Sequence, residues 1–253
     1  MWLRKKASKN VRKSDSIYAS SLDELVDFRF DERVVDVFPD MIQRSVPGYA
    51  NIVSMIGVFA DKYAQNNSYC YDLGCSLGAA SLSMQKSIKQ NNCDIIAVDN
   101  SVEMIERAQQ IFSSDQSSNI DVKLVCADLQ DVVIENASVV VMNFTLQFIP
   151  QDERLALIRR VYQGLKPGGI LILSEKITFE DPERDQFQNE IHHDFKRANG
   201  YSDLEISQKR TALEKVLIPE TLATHQQRLA DAGFGTSNVW FQCFNFISLV
   251  AIK

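Results

Sequence analysis

The chain has 253 residues, 45% of them hydrophobic and 24% charged, a composition that excludes a fibrous repeat or an intrinsically disordered chain. A formal net charge of −6 excludes a body that grips a nucleic-acid backbone through bulk electrostatics, which requires clustered Lys and Arg. The longest apolar runs, such as Val139 to Met142 and Ile170 to Leu173, fall far short of the roughly 20 residues a membrane span needs and read as buried strands.

The first residues, MWLRKKASKNVRK, are basic but lack the apolar stretch of a secretory signal, so a cytoplasmic protein is expected. Residues 1–27 are read as a basic, disordered tail and 28–253 as one α/β domain with a helical insertion at about 182–216. Phe28 to Val37 and Pro39 to Ser45 are expected to cover the front of a site rather than to join a sheet. Ile52, Ile56, Phe59 and Tyr63 then recur at helical spacing, predicting a helix from Ala50 into the Asn66-Asn67 turn.

A regular alternation follows. Strands are predicted at Ser68 to Leu73, Asp94 to Val98, Val122 to Cys126, Ser138 to Asn143 and Ile170 to Glu175, with helices at Ala79 to Lys89, Val102 to Phe112 and Asp152 to Leu165. Apolar strands alternating with helices of this length spell βαβ units and a parallel sheet. The Pro167-Gly168-Gly169 turn is expected to separate the last helix from the last of these strands. Three helices are predicted around Pro182 to Ala198, Asp203 to Lys215 and Pro219 to Ala232. Asn238 to Gln242 and Phe244 to Ile252 then read as a closing hairpin. The fold class is therefore a doubly wound, mostly parallel seven-stranded sheet with a C-terminal antiparallel hairpin.

In such a sheet the ligand lies beyond the carboxyl ends of the strands, where strand order reverses. Three strand ends carry suitable residues. Gly74 and Gly78 of GCSLGA allow a tight turn and close backbone approach at a helix start. Asp99 closes the second strand, where a carboxylate can accept both hydroxyls of a ribose, and Asp128-Leu129 follows the third, where it can meet an adenine edge. The loop lacks the middle glycine of GxGxxG, which argues against a dinucleotide pyrophosphate, and no GxxxxGK[ST] is present for a nucleoside triphosphate. S-adenosylmethionine, a nucleoside without phosphate, suits this loop.

Other residues carry less. Cys70, Cys75, Cys93, Cys126 and Cys243 contain no CxxC pair and are read as reduced, with Cys75 a small packing residue rather than a nucleophile. His192 and His193 are adjacent, point about 100° apart on a helix and cannot readily share a metal; no HExxH is present and no metal is expected. After the fourth strand stands Asn143-Phe144-Thr145-Leu146 rather than a DPPY-like motif, which disfavours methylation of an amine. The charge-rich stretch from His192 to Arg210 is read either as a solvated helical pair or as the source of a lysine or arginine that receives an anionic group.

Several of these segments together carry a resemblance: FDERVVDVFPDMIQRSVPGY (Phe30 to Tyr49), DLGCSLGAA (Asp72 to Ala80), NFTLQF (Asn143 to Phe148), HHDFKRANGYS (His192 to Ser202), LEISQKR (Leu204 to Arg210) and WFQCFNF (Trp240 to Phe246). From Phe30 to Lys253 the chain resembles the carboxy-S-adenosyl-L-methionine synthase family, a branch of the S-adenosylmethionine-dependent methyltransferase superfamily, and so implies a Rossmann-like methyltransferase fold. The resemblance implies conversion of S-adenosylmethionine and prephenate to carboxy-S-adenosylmethionine and phenylpyruvate. It also implies a homodimer and a functional link to a second enzyme that transfers the carboxymethyl group to a tRNA wobble uridine. The family's binding positions fall on Tyr49, Gly74, Cys75, Ser76, Asp99, Asn100, Asp128, Leu129, Asn143 and Arg210, with Arg210 as the catalytic candidate. No protein base is implied, because hydroxide leaving prephenate can take the methyl proton. The chain departs from the family in an N-terminal tail that is longer and more basic. A small-molecule methyltransferase and a non-catalytic nucleoside sensor are the competing readings.

Overall fold

The computed structural model describes residues 14–21, 27–114 and 120–253. The described residues form helices α1 (Glu32–Ser45), α2 (Tyr49–Tyr63), α3 (Ala79–Ser87), α4 (Val102–Ser114), α5 (Gln151–Gly164), α6 (Pro182–Ala198), α7 (Asp203–Leu213) and α8 (Leu222–Ala232). Strands β1 (Ser68–Leu73), β2 (Cys93–Asp99), β3 (Val122–Cys126), β4 (Ala137–Asn143), β5 (Leu165–Lys176), β6 (Thr236–Cys243) and β7 (Phe246–Ile252) pair in the order β3-β2-β1-β4-β5-β7-β6. β1 to β5 are parallel, while β7 runs antiparallel to both β5 and β6. Strand order therefore reverses between β1 and β4, and the crevice lies there.

β4 shows why a continuous apolar run makes a central strand. Its alternate side chains bury on opposite faces: Val139 and Val141 pack with Ile52, Ile56 and Met84 of α2 and α3, whereas Val140 and Met142 pack with Leu157 and Ile158 of α5. A parallel strand covered by helices on both sides has no solvent face, so it carries no polar alternation. A third cluster, around Val34, Val35, Met41 and Met104, seats α1 on α4 above the strand ends.

α1 supplies the expected cover, and it is one helix running through Pro39. Three other expectations change. The Pro167-Gly168-Gly169 turn does not separate α5 from β5: the helix passes directly into the strand at Leu165, and the three residues form a bulge inside it. Gly168 at φ +74° and Pro167, which has no N–H to give, suit a bulge as well as a stop. The edge is held by Gly168 N–H donating to Lys253 O and Lys253 N–H to Gly169 O, each at 3.0 Å. α8 starts at Leu222 rather than Pro219, with Thr221 as its N-cap, because Glu220 is drawn into ion pairs with Arg154 and Arg228.

The third change concerns the tail. Residues 14–21, read as part of a disordered extension, pack against the body. Asp15 is buried, accepts from the Tyr201 hydroxyl, and lies 3.6 Å from Lys209 Nζ, while Gln208 Nε2 donates to the carbonyls of Tyr18 and Ser20. A buried carboxylate with a cation and a phenol cannot be recognised from composition. The remainder of the tail reading, residues 1–13 and 22–26, lies outside the described residues.

Candidate active site

A cavity of about 1230 Å³ opens over the carboxyl ends of β1, β2, β4 and β5, beneath α1, α6 and α7. It exceeds the roughly 300–1,000 Å³ of a typical small-molecule site, so there is room for two ligands side by side. All ten sequence-selected positions, Tyr49, Gly74, Cys75, Ser76, Asp99, Asn100, Asp128, Leu129, Asn143 and Arg210, line it.

The loop after β1 is shaped by backbone hydrogen bonds. Gly74 and Cys75 N–H both donate to Val98 O, at 2.8 and 2.9 Å, which folds the loop across the end of β2. Gly74 has φ +80°, and a Cβ there would run into the Thr145 side chain, so the close approach of the two loops requires glycine. Asp72, buried at the end of β1, accepts from Ser81 N–H at 2.9 Å and Ser81 Oγ at 2.6 Å, fixing the start of α3; burial pushes its carboxyl up to about 6.

Asp99 accepts from Ser76 N–H at 2.8 Å on one oxygen and from Ser101 N–H at 3.0 Å on the other. The Asn100 N–H acts on it as well, so three of about four acceptor sites are engaged; the carboxylate is held in one orientation on the cavity wall and is not exhausted by its own loops. Asn100 Nδ2 donates to Asp128 Oδ1 at 2.8 Å, tying the ends of β2 and β3 together beside it. Asn143 Oδ1 is buried without a hydrogen-bond partner among the described residues, an orphan acceptor on the cavity wall. Carboxylates for a ribose, an orphan acceptor for an amino group and a glycine loop that admits a close ligand fit an adenosyl amino acid. Cys75 is buried, and burial followed by the charges of Asp72 and Asp99 pushes its thiol up, so it is a packing residue and not a thiolate nucleophile.

A lid of aromatic rings closes the front. Phe30 meets Phe28, Phe148 and Phe38 edge to face, at centroid separations of 5.1, 5.5 and 6.1 Å. Ser101 Oγ donates to Phe30 O at 2.8 Å, which links this lid to the Asp99 turn.

The opposite end of the cavity is cationic. Lys176 at the end of β5, Lys196 on α6, and Lys209 and Arg210 on α7 all line it. Burial, then the charges of Lys209, Lys176 and Arg210, bring the Lys196 ammonium down to about 7. Lys209 differs: its ammonium donates to Ser45 Oγ at 3.1 Å and faces Asp15. His192 is buried against Phe246, its Nε2 2.8 Å from Ser45 O, and burial holds it neutral; it is a packing residue. Among the described residues no group of three or more His, Cys, Asp or Glu could hold a metal.

Sequence reasoning missed Glu175 and Lys176. Glu175 is fully buried behind the Asn143–Phe148 loop, and its two oxygens accept from Leu146 N–H at 2.9 Å and Gln147 N–H at 3.0 Å. Burial pushes it up to about 8 against the pull of those donors. The available signal was a Glu-Lys pair closing an apolar strand, where a charged residue inside needs a partner.

Residues 71–169 match the family described as a methyltransferase domain. The chain is 67% identical over 243 residues to the carboxy-S-adenosyl-L-methionine synthase of Citrifermentans bemidjiense, a match covering 96% of this chain and 100% of that protein. It is 57% identical over 239 residues to the protein of the same name from Vibrio cholerae serotype O1, covering 94% and 97%. Among solved structures, human N-acetylserotonin methyltransferase in complex with S-adenosylmethionine matches with a TM-score of 0.58 at 16% identity, over 87% of this chain and 55% of that one. The cyclopropane synthase MmaA2 from Mycobacterium tuberculosis matches at 0.54 and 18%, over 74% and 62%. These two show the fold, a Rossmann-like methyltransferase sheet. No helix among the described residues is long and apolar enough to cross a membrane.

Proposed function

The chain belongs to the carboxy-S-adenosyl-L-methionine synthase family, and from that premise we propose that it carboxylates the methyl group of S-adenosylmethionine with carbon dioxide released from prephenate, giving phenylpyruvate as coproduct. The observation that carries this reading is a single cavity with carboxylates and an orphan amide oxygen at one end and four cationic side chains at the other. A methyl transferase acting on a neutral acceptor has no use for the second end.

In this reading Asp99 takes the ribose hydroxyls, Asp128 and Leu129 border the adenine, Asn143 takes the amino group, and Tyr49 and the Gly74–Ser76 loop close around the methionine portion. Loss of the methyl proton leaves a carbanion stabilised by the adjacent sulfonium. Prephenate loses its ring carboxylate and its hydroxyl as the ring becomes aromatic, and the departing hydroxide accepts the methyl proton as water. Arg210 has no hydrogen bond or ion pair among the described residues, so its guanidinium is free to clamp the new carboxylate through two parallel hydrogen bonds. A methyl group on the sulfonium offers this guanidinium no carboxylate to clamp, so the contact favours carboxylation over methyl transfer.

The product, made in the cytoplasm by a homodimer, would supply a tRNA-modifying carboxymethyltransferase. The test is mass spectrometry of the nucleoside after incubation of the protein with S-adenosylmethionine, with and without prephenate. A prephenate-dependent gain equal to one carbon dioxide is expected. A methylated acceptor formed without prephenate would replace this reading with a methyltransferase.

A further inference from the structure

Two of the cations in the cavity do more than surround Arg210. We propose that Lys196 and Lys176 form a separate subsite for the carboxylate that prephenate keeps, the pyruvyl carboxylate of phenylpyruvate, while Arg210 faces the carboxylate that is lost and recaptured. The proposal rests on the reaction assigned above and names how its second substrate is held.

The protein supplies partners to its other buried charges. Lys209 is given Asp15 and Ser45, Arg154 is given Glu220, and Asp72 is given Ser81. Lys196 is 9% exposed and has no hydrogen bond or ion pair for its ammonium among the described residues. Its charged neighbours are instead the like charges of Lys209, Lys176 and Arg210. The Lys176 ammonium likewise has no such bond; the carboxylate acting on it, Asp185, has its oxygens engaged by Thr178 Oγ1 at 2.7 Å, Phe179 N–H at 3.0 Å and Asn189 Nδ2 at 2.9 Å. An ammonium drawn out of water without a free anion is destabilising, so the buried Lys196 beside the half-buried Lys176 on the wall of an open cavity marks a place where an anion binds.

The chemistry supplies two anionic groups for two cationic positions. Prephenate enters as a dianion. The bond from its ring to the carboxyl carbon breaks, as does the bond to its hydroxyl, and the carboxyl carbon bonds to the methyl carbon, whose proton leaves with the hydroxide as water. One carboxylate thus moves to the nucleoside and one stays on phenylpyruvate, so two carboxylates are present before and after turnover. The lysines hold the one that does not change, which anchors the ring while the other travels along the face of Arg210.

The test uses the full chain with Lys196→Met and Lys176→Met, which keep the length of the side chain and remove the charge. Steady-state kinetics would give KM for prephenate, and inhibition would give the affinity for phenylpyruvate and for its uncharged methyl ester. In each variant, KM for prephenate and the inhibition constant of phenylpyruvate should rise roughly ten- to hundredfold, the loss of a hydrogen bond to a charged group. The methyl ester should inhibit wild type and variants equally, calorimetric affinity for S-adenosylmethionine should be unchanged, and Lys196→Met should melt no lower than wild type. Unchanged constants for phenylpyruvate, or an equal loss for acid and ester, would overturn the subsite. Lys176 is only half-buried, so that variant decides the matter if Lys196→Met does not fold. If wild type gives no carboxylated nucleoside from prephenate, the assigned reaction fails, whereas phenylpyruvate titrated into wild type and variants still decides whether the lysines bind a carboxylate.

Discussion

The two ends of the cavity are built on opposite principles. At the ends of β1 to β3, the carboxylates are already held in place by the protein: Asp72 by Ser81, Asp99 by Ser76 and Ser101, and Asp128 by Asn100. At the end of β5 and along α6 and α7, Lys176, Lys196 and Arg210 are held together; Lys196 meets only like charges, and the one carboxylate that acts on Lys176, Asp185, is engaged by Thr178, Phe179 and Asn189. The first end is organised before any ligand arrives, and its geometry is part of the fold. The second stores unfavourable electrostatics that an anionic ligand relieves, so it favours binding at the expense of stability.

The sharpest way to break this comparison is at the joint between the ends. Glu175 holds the loop that carries Asn143 and Phe148 by accepting two buried N–H groups, so Glu175→Ala leaves both unsatisfied and should destabilise the protein by about 2–5 kcal/mol in urea unfolding. A loss below 1 kcal/mol would mean that the loop is held by other contacts. Next is Asp99→Ala, which removes a carboxylate from the organised end and should weaken S-adenosylmethionine binding at least roughly hundredfold, two charged hydrogen bonds at the low end of about 1.5 kcal/mol each. Phenylpyruvate binding, measured by the same calorimetry, should hardly change.

Arg210→Lys sharpens the other end. A lysine keeps the charge but not the two parallel bonds, so preference for the carboxylated over the methylated nucleoside should fall by about 1.5–3 kcal/mol. Equal losses for both nucleosides would remove Arg210 from the clamp. The smallest effect is a gain: Lys196→Met should stabilise the free protein by about 1–2 kcal/mol near neutral pH, since a buried charge is removed. Its sign with pH follows from a folded value near 7 against an ordinary 10.5. Between those values the unfolded chain binds the extra proton, so wild-type stability rises with pH and the advantage of the variant shrinks, vanishing above about 10.5. An advantage that grew with pH would show that Lys196 is not buried as a cation.

The organised end was legible in the sequence because its signals are local. A glycine loop directly after an apolar strand, and an acid at the next two strand ends, are set by neighbours in the chain; Tyr49, Asn143 and Arg210 were reached only through the family resemblance, and they line the same cavity. The cationic end was only half legible. The charge-rich stretch from His192 to Arg210 announced itself, but which cation turns inward depends on how α6 and α7 sit on β5, and no local pattern states that. Lys196 is buried while its neighbour Arg197 is exposed and paired with Asp194 and Asp203. Asp15 was misread for the same reason: its partners, Tyr201 and Lys209, are more than 180 residues away. The Pro-Gly-Gly bulge shows a different limit, since residues that end a helix and residues that kink a strand make the same demand on φ.

In the proposed reaction one cavity passes a carboxyl group from the anion held at its cationic end to the nucleoside held at its organised end. The most direct measurement is a single turnover with S-adenosylmethionine and prephenate carrying carbon-13 in the ring carboxylate, in unlabelled bicarbonate buffer, followed by mass spectrometry of both products. The label should appear in the new carboxymethyl group and not in phenylpyruvate. An unlabelled carboxymethyl group, with the label recovered as bicarbonate, would contradict direct transfer within the cavity.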